Sequence, residues 1–234
     1  MHPLDDITIY YHGNVIEDNG ASADFRVTVN YICDFYHKML NGYKPPKTGR
    51  ICVSLNKERQ WSKPHYFGSI CNVANSIDEE KYLGLSKTEK YKYILDLLHQ
   101  SIQEVAEIYN WDGAVFQNAY DAIHKMDFKF SLSYPPKKAR DRKTTGQVIV
   151  EKTEKITTLN LVFSIGDKIK KIKLFENRNW FWYDIAYEMA KNSKWLDNSS
   201  FGVYSKKSDK FGYYSLHDEV IIGKLDFEED EFIL

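Results

Sequence analysis

Apolar residues recur at every second position in several short stretches of the first half of the chain. The ranges 7–11 and 51–55 follow this period of two, which predicts a strand in each. We expect 66–73 to form the hairpin partner of the second strand, with His65 and Cys71 on one face of it. His65 and Cys71 are six positions apart along this strand, which is too far for both side chains to bind one metal ion.

Longer apolar stripes at helical spacing predict three helices before residue 127. The first begins near Asp24, a candidate N-cap, and ends before Gly42. The clearest one follows the capping box formed by Ser86 and Glu89 and runs from Lys87 to Tyr109. The third begins after Asp112, and its expected buried residues are Val115, Ala119, Ala122 and Met126.

The second half of the chain returns to the period of two. Four strands are expected at 128–134, 148–150, 159–165 and 169–174, with a bulge near Lys170 and Lys171 where the apolar phase slips. A helix is predicted from Trp180 to Lys191. The ranges predicted to form a closing hairpin and a last strand are 201–205, 211–216 and 220–225.

This order of elements predicts an α+β fold with a mostly antiparallel sheet in the C-terminal half, packed with a central pair of helices. The predicted lobes are 1–126, with mixed strands and helices, and 127–234, an antiparallel meander with one helix. A chain of 234 residues also fits one continuous domain.

The aromatic content is the unusual feature of the composition. The chain has 17 Tyr, 13 Phe and 5 Trp, which make up 15% of its residues. Tyr and Trp are enriched where one end of the side chain is dry and the other is wet, as in a sheet core or a protein interface. Aromatic residues therefore favour either a tyrosine-rich sheet or an aromatic binding surface.

The balance of charge and the motifs exclude several functional classes. With 32 basic and 33 acidic residues, the chain as a whole does not attract nucleic acid or an anionic membrane. Glycine-rich nucleotide motifs, histidine pairs with metal-ligand spacing and paired cysteines are missing from the sequence. We expect no cofactor, no bound metal and no membrane span, and a cytoplasmic location, because the chain begins without an apolar leader.

Two short combinations of nucleophile and base have a simpler interpretation. Cys33 and His37 are four residues apart on a predicted helix, where a cysteine on the apolar side usually serves packing. Ser215, His217 and Asp218 are close in sequence only, whereas catalytic triads assemble across a fold.

Asp184 and Glu188 are the candidate catalytic residues of an enzymatic alternative. They are four residues apart on the predicted helix, beside an aromatic run, so raised pKa values would suit them to acid–base chemistry. The competing interpretation, which we favour, is the solvated side of an amphipathic helix.

The aromatic run itself predicts a binding surface. Four successive aromatic residues on a helix point in more than three directions, so some of them should be exposed. The residues expected to bind a partner are Trp180, Trp182 and Tyr183.

Two charged segments are further candidates for binding. A basic segment with Lys137, Lys138, Arg140 and Arg142 could hold phosphate or an acidic protein. An acidic end could dock a basic protein or pair with that basic segment. Its acidic residues are Asp226, Glu228, Glu229, Asp230 and Glu231.

These features together predict a non-enzymatic cytosolic protein-binding module. One specific form is an inhibitor that neutralises a toxic enzyme, as bacterial immunity proteins do, with a basic toxin or enzyme as its partner. A hydrolase or nuclease that uses the acidic pair is the first alternative. A nucleic-acid adaptor that uses the basic segment is the second, and the overall charge counts against it.

Overall fold

A computed structural model of the chain describes residues 4–227. The internal contacts divide the chain into two units, Met1–Phe128 and Lys129–Leu234. The mixture of helices with parallel and antiparallel strands confirms the predicted α+β class. That the two units are separate folding domains stays a prediction.

Helices and a small sheet make up the described part of the first unit. Its strands are β1 Asp6–Tyr11, β2 Arg50–Asn56, β3 His65–Phe67 and β4 Ile70–Ser76. Its helices are α1 Val15–Asp18, α2 Ser22–Met39, α3 Glu79–Gly84, α4 Lys87–Tyr109 and α5 Gly113–Lys125. Helix α4 has the predicted bounds and the predicted capping box, and α5 begins after Asp112 as predicted, with Asp112 as its N-cap.

The sheet of the first unit corrects the predicted hairpin. Its strand order is β1-β2-β4-β3, and β2 pairs in parallel with both β1 and β4. The hairpin is formed instead by β3 and β4, which places His65 opposite Asn72 and separates it from Cys71 by a turn at Gly68. The two candidate ligands therefore do not share a strand.

Two helices of this unit differ in detail from the prediction. Helix α2 begins two residues before Asp24, and Ala21 precedes it without a side-chain cap. Asp24 instead pairs with Lys87 and Lys90. In α5 Ala119 is buried as predicted, but Phe116 and Ile123 are buried in place of Val115 and Ala122.

Two facing sheets form the described part of the second unit. The first sheet has strands β5 Phe130–Ser133, β6 Lys137–Lys138, β7 Thr144–Lys152, β8 Ile156–Ile165 and β9 Lys168–Arg178. The second has β10 Lys194–Trp195, β11 Ser200–Tyr204, β12 Phe211–Ser215 and β13 Val220–Lys224. Within residues 129–227 the only helices are a 3₁₀ turn, Phe181–Tyr183, and α6, Ile185–Lys191.

Antiparallel pairing runs through both sheets, as predicted. The first has the order β5-β7-β8-β9 with β6 beside β7, and the second has the order β10-β11-β12-β13. The predicted bulge lies farther along β9, because Leu159 pairs with Phe175 while Asn160 pairs with Lys173. The extra residue, Leu174, explains why Leu174 and Phe175 are both buried.

Aromatic residues join the two sheets of the second unit. The ring of Phe163 on β8 lies 6.0 Å from that of Phe201 on β11 and 5.7 Å from that of Tyr214 on β12. Gly146 on β7 allows this approach, since a Cβ there would be 2.7 Å from the Phe201 ring. Packing between the two sheets is thus one use of the aromatic residues.

Candidate functional site

In the described part of the chain, the last strand of the second sheet is exposed along its whole length. Among residues 4–227 no strand pairs with the outer edge of β13. All five residues of β13 are exposed, and Val220, Ile221 and Ile222 keep 46, 45 and 55% of their accessible surface. Proteins commonly protect such edges with charges, bulges or a covering segment, so an apolar one is a candidate site for another chain.

The arrangement of the two sheets explains why β13 is exposed. Strand β12 lies over the end of the first sheet, because Tyr214 contacts both Phe163 of β8 and, at 5.0 Å, the ammonium group of Lys170 on β9. Strand β9 is the last strand of that first sheet. Strand β13 lies one position beyond β12 and therefore extends past β9. We call β13 with this edge of β9 the β13 ledge.

The pairing register assigns each side chain of β13 to a face. Ile221 lies opposite Tyr214, and directly opposed residues share a face, so Ile221 faces the layer that contains β9. Val220 and Ile222 lie opposite Ser215 and Tyr213 and face the other way. An added strand would thus meet apolar side chains on both of its faces.

Charged and hydrogen-bonded groups hold the turn that leads into β13. Glu219 pairs with Lys170 at 2.5 Å. The hydroxyl of Ser215 donates to the carboxylate of Asp218, and the imidazole of His217 lies 2.8 Å from that carboxylate. Within the described residues Ser215 therefore has Asp218 as its partner and not His217, which is unlike a catalytic triad.

The predicted aromatic surface is only partly exposed. Trp180 and Trp182 are half-buried, while Tyr183 keeps 52% of its surface. The guanidinium of Arg178 lies 4.8 Å from the Trp180 ring, and the Trp182 and Tyr183 rings are 5.3 Å apart. Only Tyr183 of the three presents a large exposed surface.

Asp184 occupies a buried structural position and not the predicted helical face. The helix begins one residue later, at Ile185, so Asp184 is its N-cap and accepts from the amide of Ala186 at 3.0 Å. Its carboxylate also lies 3.3 Å from the ammonium group of Lys152, and both side chains are fully shielded from solvent. The Lys152 ammonium also donates to the carbonyl of Phe181 at 2.8 Å.

Glu188 connects α6 to the turn between β11 and β12. One of its carboxylate oxygens accepts from the side chain of Asn192 at 2.6 Å and from the amide of Lys206 at 2.8 Å. Asp184 and Glu188 therefore bind different groups. A shared acid–base site needs both carboxylates to reach one substrate, and full burial of Asp184 argues against that.

The basic segment forms an ordered turn between β6 and β7. The amide of Arg142 donates to the carbonyl of Ala139, and the amide of Lys143 donates to Asp141. Lys138, Arg140, Arg142 and Lys143 are exposed, and none of them pairs with an acid in the part of the chain described.

Lys137 at the start of this segment is directed inward. Its ammonium group donates to the carbonyl of Ser193, and burial lowers the pKa of Lys137. The exposed cations of the predicted site thus exclude Lys137. They lie at the start of β7, whereas Lys152, beside the aromatic run, lies at its end. The basic and aromatic candidates therefore do not form one surface.

The acidic end lies mostly beyond the structural description. Glu228, Glu229, Asp230 and Glu231 are outside the described residues. The backbone carbonyl of Asp226 accepts from Lys210, and the Phe227 ring lies 4.9 Å from that of buried Phe175. This one aromatic residue of the segment packs within its own unit.

Two open depressions lie on the first unit. One of about 500 Å³ is lined by Gln100, Gln103, Glu104, Ala106, Glu107, Trp111 and Gly113. One of about 320 Å³ is lined by Val15, Lys57, Ser76, Ile77, Asp78, Glu79 and Glu80. Neither contains a histidine or the predicted acidic pair.

A polar cluster that the sequence did not predict lies between α2, α4 and α5. The Tyr36 hydroxyl lies 2.9 Å from Nδ1 of His99, and the His99 ring stacks on Tyr120 at 4.3 Å. That hydroxyl also lies 3.1 Å from the carbonyl of Phe116, and Nε2 of His99 lies 3.2 Å from the amide oxygen of Gln117. Burial lowers the pKa of His99. Because both ring nitrogens of His99 have hydrogen-bond partners, we interpret the cluster as structural.

The cysteines and histidines do not assemble a reactive site. Cys33 is buried, and burial raises the pKa of its thiol, so the thiolate form needed for nucleophilic attack is disfavoured. His37 lies 2.9 Å from the carbonyl of Leu4 through Nε2. Across residues 4–227 no group of three His, Cys, Asp or Glu side chains is placed to hold a metal ion.

No helix in the described range has the length and apolar character needed to cross a membrane.

Comparison of the chain with protein-family models, with curated proteins and with solved structures finds no match. Its function is therefore inferred from its own geometry.

Proposed function

We propose that the chain is a protein-binding module that accepts an extended segment of another chain along the β13 ledge. The observation that carries this proposal is a five-residue edge strand whose side chains are all exposed and whose first three residues are Val220, Ile221 and Ile222. Addition of a strand to an open sheet edge is a recurrent way of binding, with affinity from main-chain hydrogen bonds and specificity from alternate side chains.

The ledge supports this mode of binding in two further ways. Within residues 4–227 no strand occupies the outer edge of β13, so an added strand could pair with this edge. Its side chains on the inner face would lie beside Ile221 and above the edge of β9. Those on the outer face would lie beside Val220 and Ile222.

A binding role also agrees with the positions of the predicted catalytic residues. Asp184 is enclosed with Lys152, and Glu188 holds a turn. Inhibition of a toxic enzyme is a specific form of this function, since an inhibitor needs a docking surface and no chemistry of its own. That form, its basic partner and the cytoplasmic location stay predictions, as does nucleic-acid binding by the exposed basic turn.

The test compares two isoleucine-to-lysine variants of the tagged full-length chain. Ile222→Lys places a charge on the β13 ledge. Ile169→Lys is the matched control, because Ile169 is 75% exposed and lies on β9 opposite Ser164, on the face turned away from β12. We expect proteins captured from the native cells by the unmodified chain to be lost with Ile222→Lys and retained with Ile169→Lys, with both variants folded by circular dichroism.

The same comparison can reject the proposal. Capture that is equal for the two variants would place the binding surface elsewhere. A second, differently tagged copy of the chain is included in the assay so that self-association is detected as well.

A further inference from the structure

Three parallel strands of the first unit end at one edge of their sheet. Tyr11 of β1 lies beside Leu55 of β2, and Asn56 of β2 lies beside Ser76 of β4. Ligands commonly bind in crevices outside the carboxyl ends of parallel strands, where the following loops come together. The depression of about 320 Å³ lies at this edge, because its lining includes Ser76 and the residue that follows β2, Lys57. We call it the edge depression.

Glu79 brings a buried carboxylate to the edge depression. It lines the depression but keeps only 5% of its accessible surface, and one of its oxygens accepts from the hydroxyl of Tyr11. The other oxygen, Oε2, has no hydrogen-bond partner among the described residues, and it is not fully shielded from solvent. A carboxylate buried this deeply gains from a donor at its second oxygen. A donor that enters the depression could supply this contact.

The surroundings of Glu79 hold its carboxylate in one place. A Cβ at Gly13 would lie 2.5 Å from the Tyr11 hydroxyl and would also collide with the Glu79 carboxylate, so both groups need a glycine there. The amide of Ile16 donates to the Tyr11 hydroxyl at 3.2 Å. Burial, and then the hydrogen bond to Glu79, raise the pKa of Tyr11 to about 12, so the hydroxyl keeps the proton that it donates. The acceptor is therefore positioned before a ligand arrives, which lowers the entropic cost of binding.

The edge depression also contains a cation that does not pair with this carboxylate. Lys57 is exposed, and its ammonium group forms no ion pair with any acid in the part of the chain that the structure describes. Opposite charges that line one depression without pairing leave both poles to a ligand. The lining further includes Asp78 and Glu80, so three carboxylates stand against one ammonium group. This balance favours a ligand with a net positive charge.

We propose that the edge depression binds a basic amino acid, with an ammonium group on Oε2 of Glu79 and the carboxylate on Lys57. Its second cationic group would lie near Asp78 and Glu80. The volume is at the lower end of the roughly 300–1,000 Å³ of small-molecule sites, which suits a ligand of this size. Within residues 4–227 no three acidic side chains are placed to hold a metal ion, which favours an organic cation. This site lies in the first unit and does not depend on the β13 ledge.

The test titrates the full-length chain with two probes, L-lysine and cadaverine, by isothermal titration calorimetry. Cadaverine has the two ammonium groups of L-lysine and lacks its carboxylate. We expect L-lysine to bind with a dissociation constant of about 1 mM or less, and cadaverine to bind more weakly because it cannot pair with Lys57.

Two variants separate the two poles of the site. Glu79→Gln keeps an oxygen that can accept from Tyr11 and removes the charge, so it should raise the dissociation constants of both probes by about tenfold or more. Lys57→Gln should weaken the binding of L-lysine and leave that of cadaverine unchanged or tighter. Glu107→Gln is the matched control, because Glu107 is an exposed carboxylate that lines the other depression, and neither probe should be affected.

The same titrations can overturn the inference. It fails if the unmodified chain binds no L-lysine up to about 20 mM, or if Lys57→Gln weakens both probes equally. It fails as well if Glu107→Gln weakens binding as much as Glu79→Gln does, since that result would indicate unspecific attraction between charges. Circular dichroism checks that each variant is folded. If Glu79→Gln does not fold, the response of exposed Lys57→Gln to the two probes decides the outcome.

Discussion

Lys152 and Asp184 form an ion pair whose side chains are fully shielded from solvent, beside the Tyr187 ring at 4.2 Å from the ammonium group. Burial of two charges is unfavourable unless each is paired and hydrogen-bonded. Asp184 meets this need by accepting from Ala186 and pairing with Lys152. The pair fixes the aromatic run to the end of β7 and is therefore structural.

Removal of one partner should destabilise the chain strongly. Asp184→Ala leaves the charge of Lys152 in a buried site, and we expect the free energy of unfolding to fall by about 3–5 kcal/mol in chemical denaturation. Asp209→Ala, which removes an exposed partner of Lys224, is the control and should change stability little. If adding Lys152→Met to Asp184→Ala recovers no stability, the uncompensated charge is not the cause.

His37 gives the chain a dependence of stability on pH. Burial, and then the nearby charge of Lys38, lower the pKa of His37 below its ordinary value of 6.5. Its Nδ1 is buried with no hydrogen-bond partner among the described residues, so a proton there would have no acceptor. The unfolded chain therefore takes up this proton at a higher pH than the native chain does.

The sign of the pH effect follows from that difference in proton uptake. We expect the contribution of His37 to be constant above about pH 7 and to become unfavourable as the pH falls below 6.5, until the native His37 is protonated as well. Urea unfolding at several pH values should show a smaller acid loss for His37→Gln than for the unmodified chain. Equal losses in the two proteins would contradict the assignment. His217→Gln is the control, because Asp218 raises the pKa of His217, so this change should not make the acid loss smaller.

Strands β11 and β12 approach so closely that one position accepts only glycine. A Cβ at Gly202 would lie 2.0 Å from the carbonyl oxygen of Gly212 and 2.6 Å from Cα of Tyr213. These are backbone atoms, which cannot move aside without separating the strands. The pairing that carries β13 therefore depends on this glycine.

Substitution at this position should disrupt the second sheet. We expect Gly202→Ala to lower the free energy of unfolding by about 3 kcal/mol or more, since both neighbouring atoms belong to the ladder. Gly84→Ala is the matched control, because a Cβ at Gly84 meets no atom within 4 Å. Similar thermal melting of Gly202→Ala and the unmodified chain would show that the strands can separate cheaply.

The elements that were predicted well are those whose local signals agree with their final packing. Helix α4 combines a capping box with a long apolar stripe, and its bounds match. The parallel pairing of β2 and β4 was missed because pairing direction depends on distant contacts and leaves no mark on the period of two. The helix predicted from Trp180 begins late, since Asp184 caps it and Phe181 has a positive φ of 51°.

At the scale of the whole molecule, the candidate site shows the same difference between what local sequence signals predict and what distant contacts decide. The strand at β13 was predicted from its apolar residues, but its exposure depends on how far the second sheet extends past β9. An available signal was the unbroken run Val220-Ile221-Ile222, which lacks the alternation of a strand with one solvated face. Asp184 was predicted on an exposed helical face but is buried, because its partner Lys152 is 32 positions away in the sequence and leaves no local signal.

At this scale β13 is both a liability and a binding site. An open apolar edge can pair with any extended chain, including unfolded ones, unless a specific occupant covers it. A lysine on an edge strand disfavours unspecific strand pairing, so we expect Ile222→Lys to increase the concentration at which the purified chain begins to precipitate. Ile169→Lys serves as the control, and light scattering measures the onset for both.

The measurement that tests the central claim most directly is photo-crosslinking in the native cells. A photoreactive amino acid is placed at Ile222 in one full-length chain and at Ile169 in another. We expect one discrete crosslinked product from position 222, either a second copy or a single other protein, and none of that size from position 169. The same products from both positions, or none from position 222, would contradict the claim that the β13 ledge binds protein.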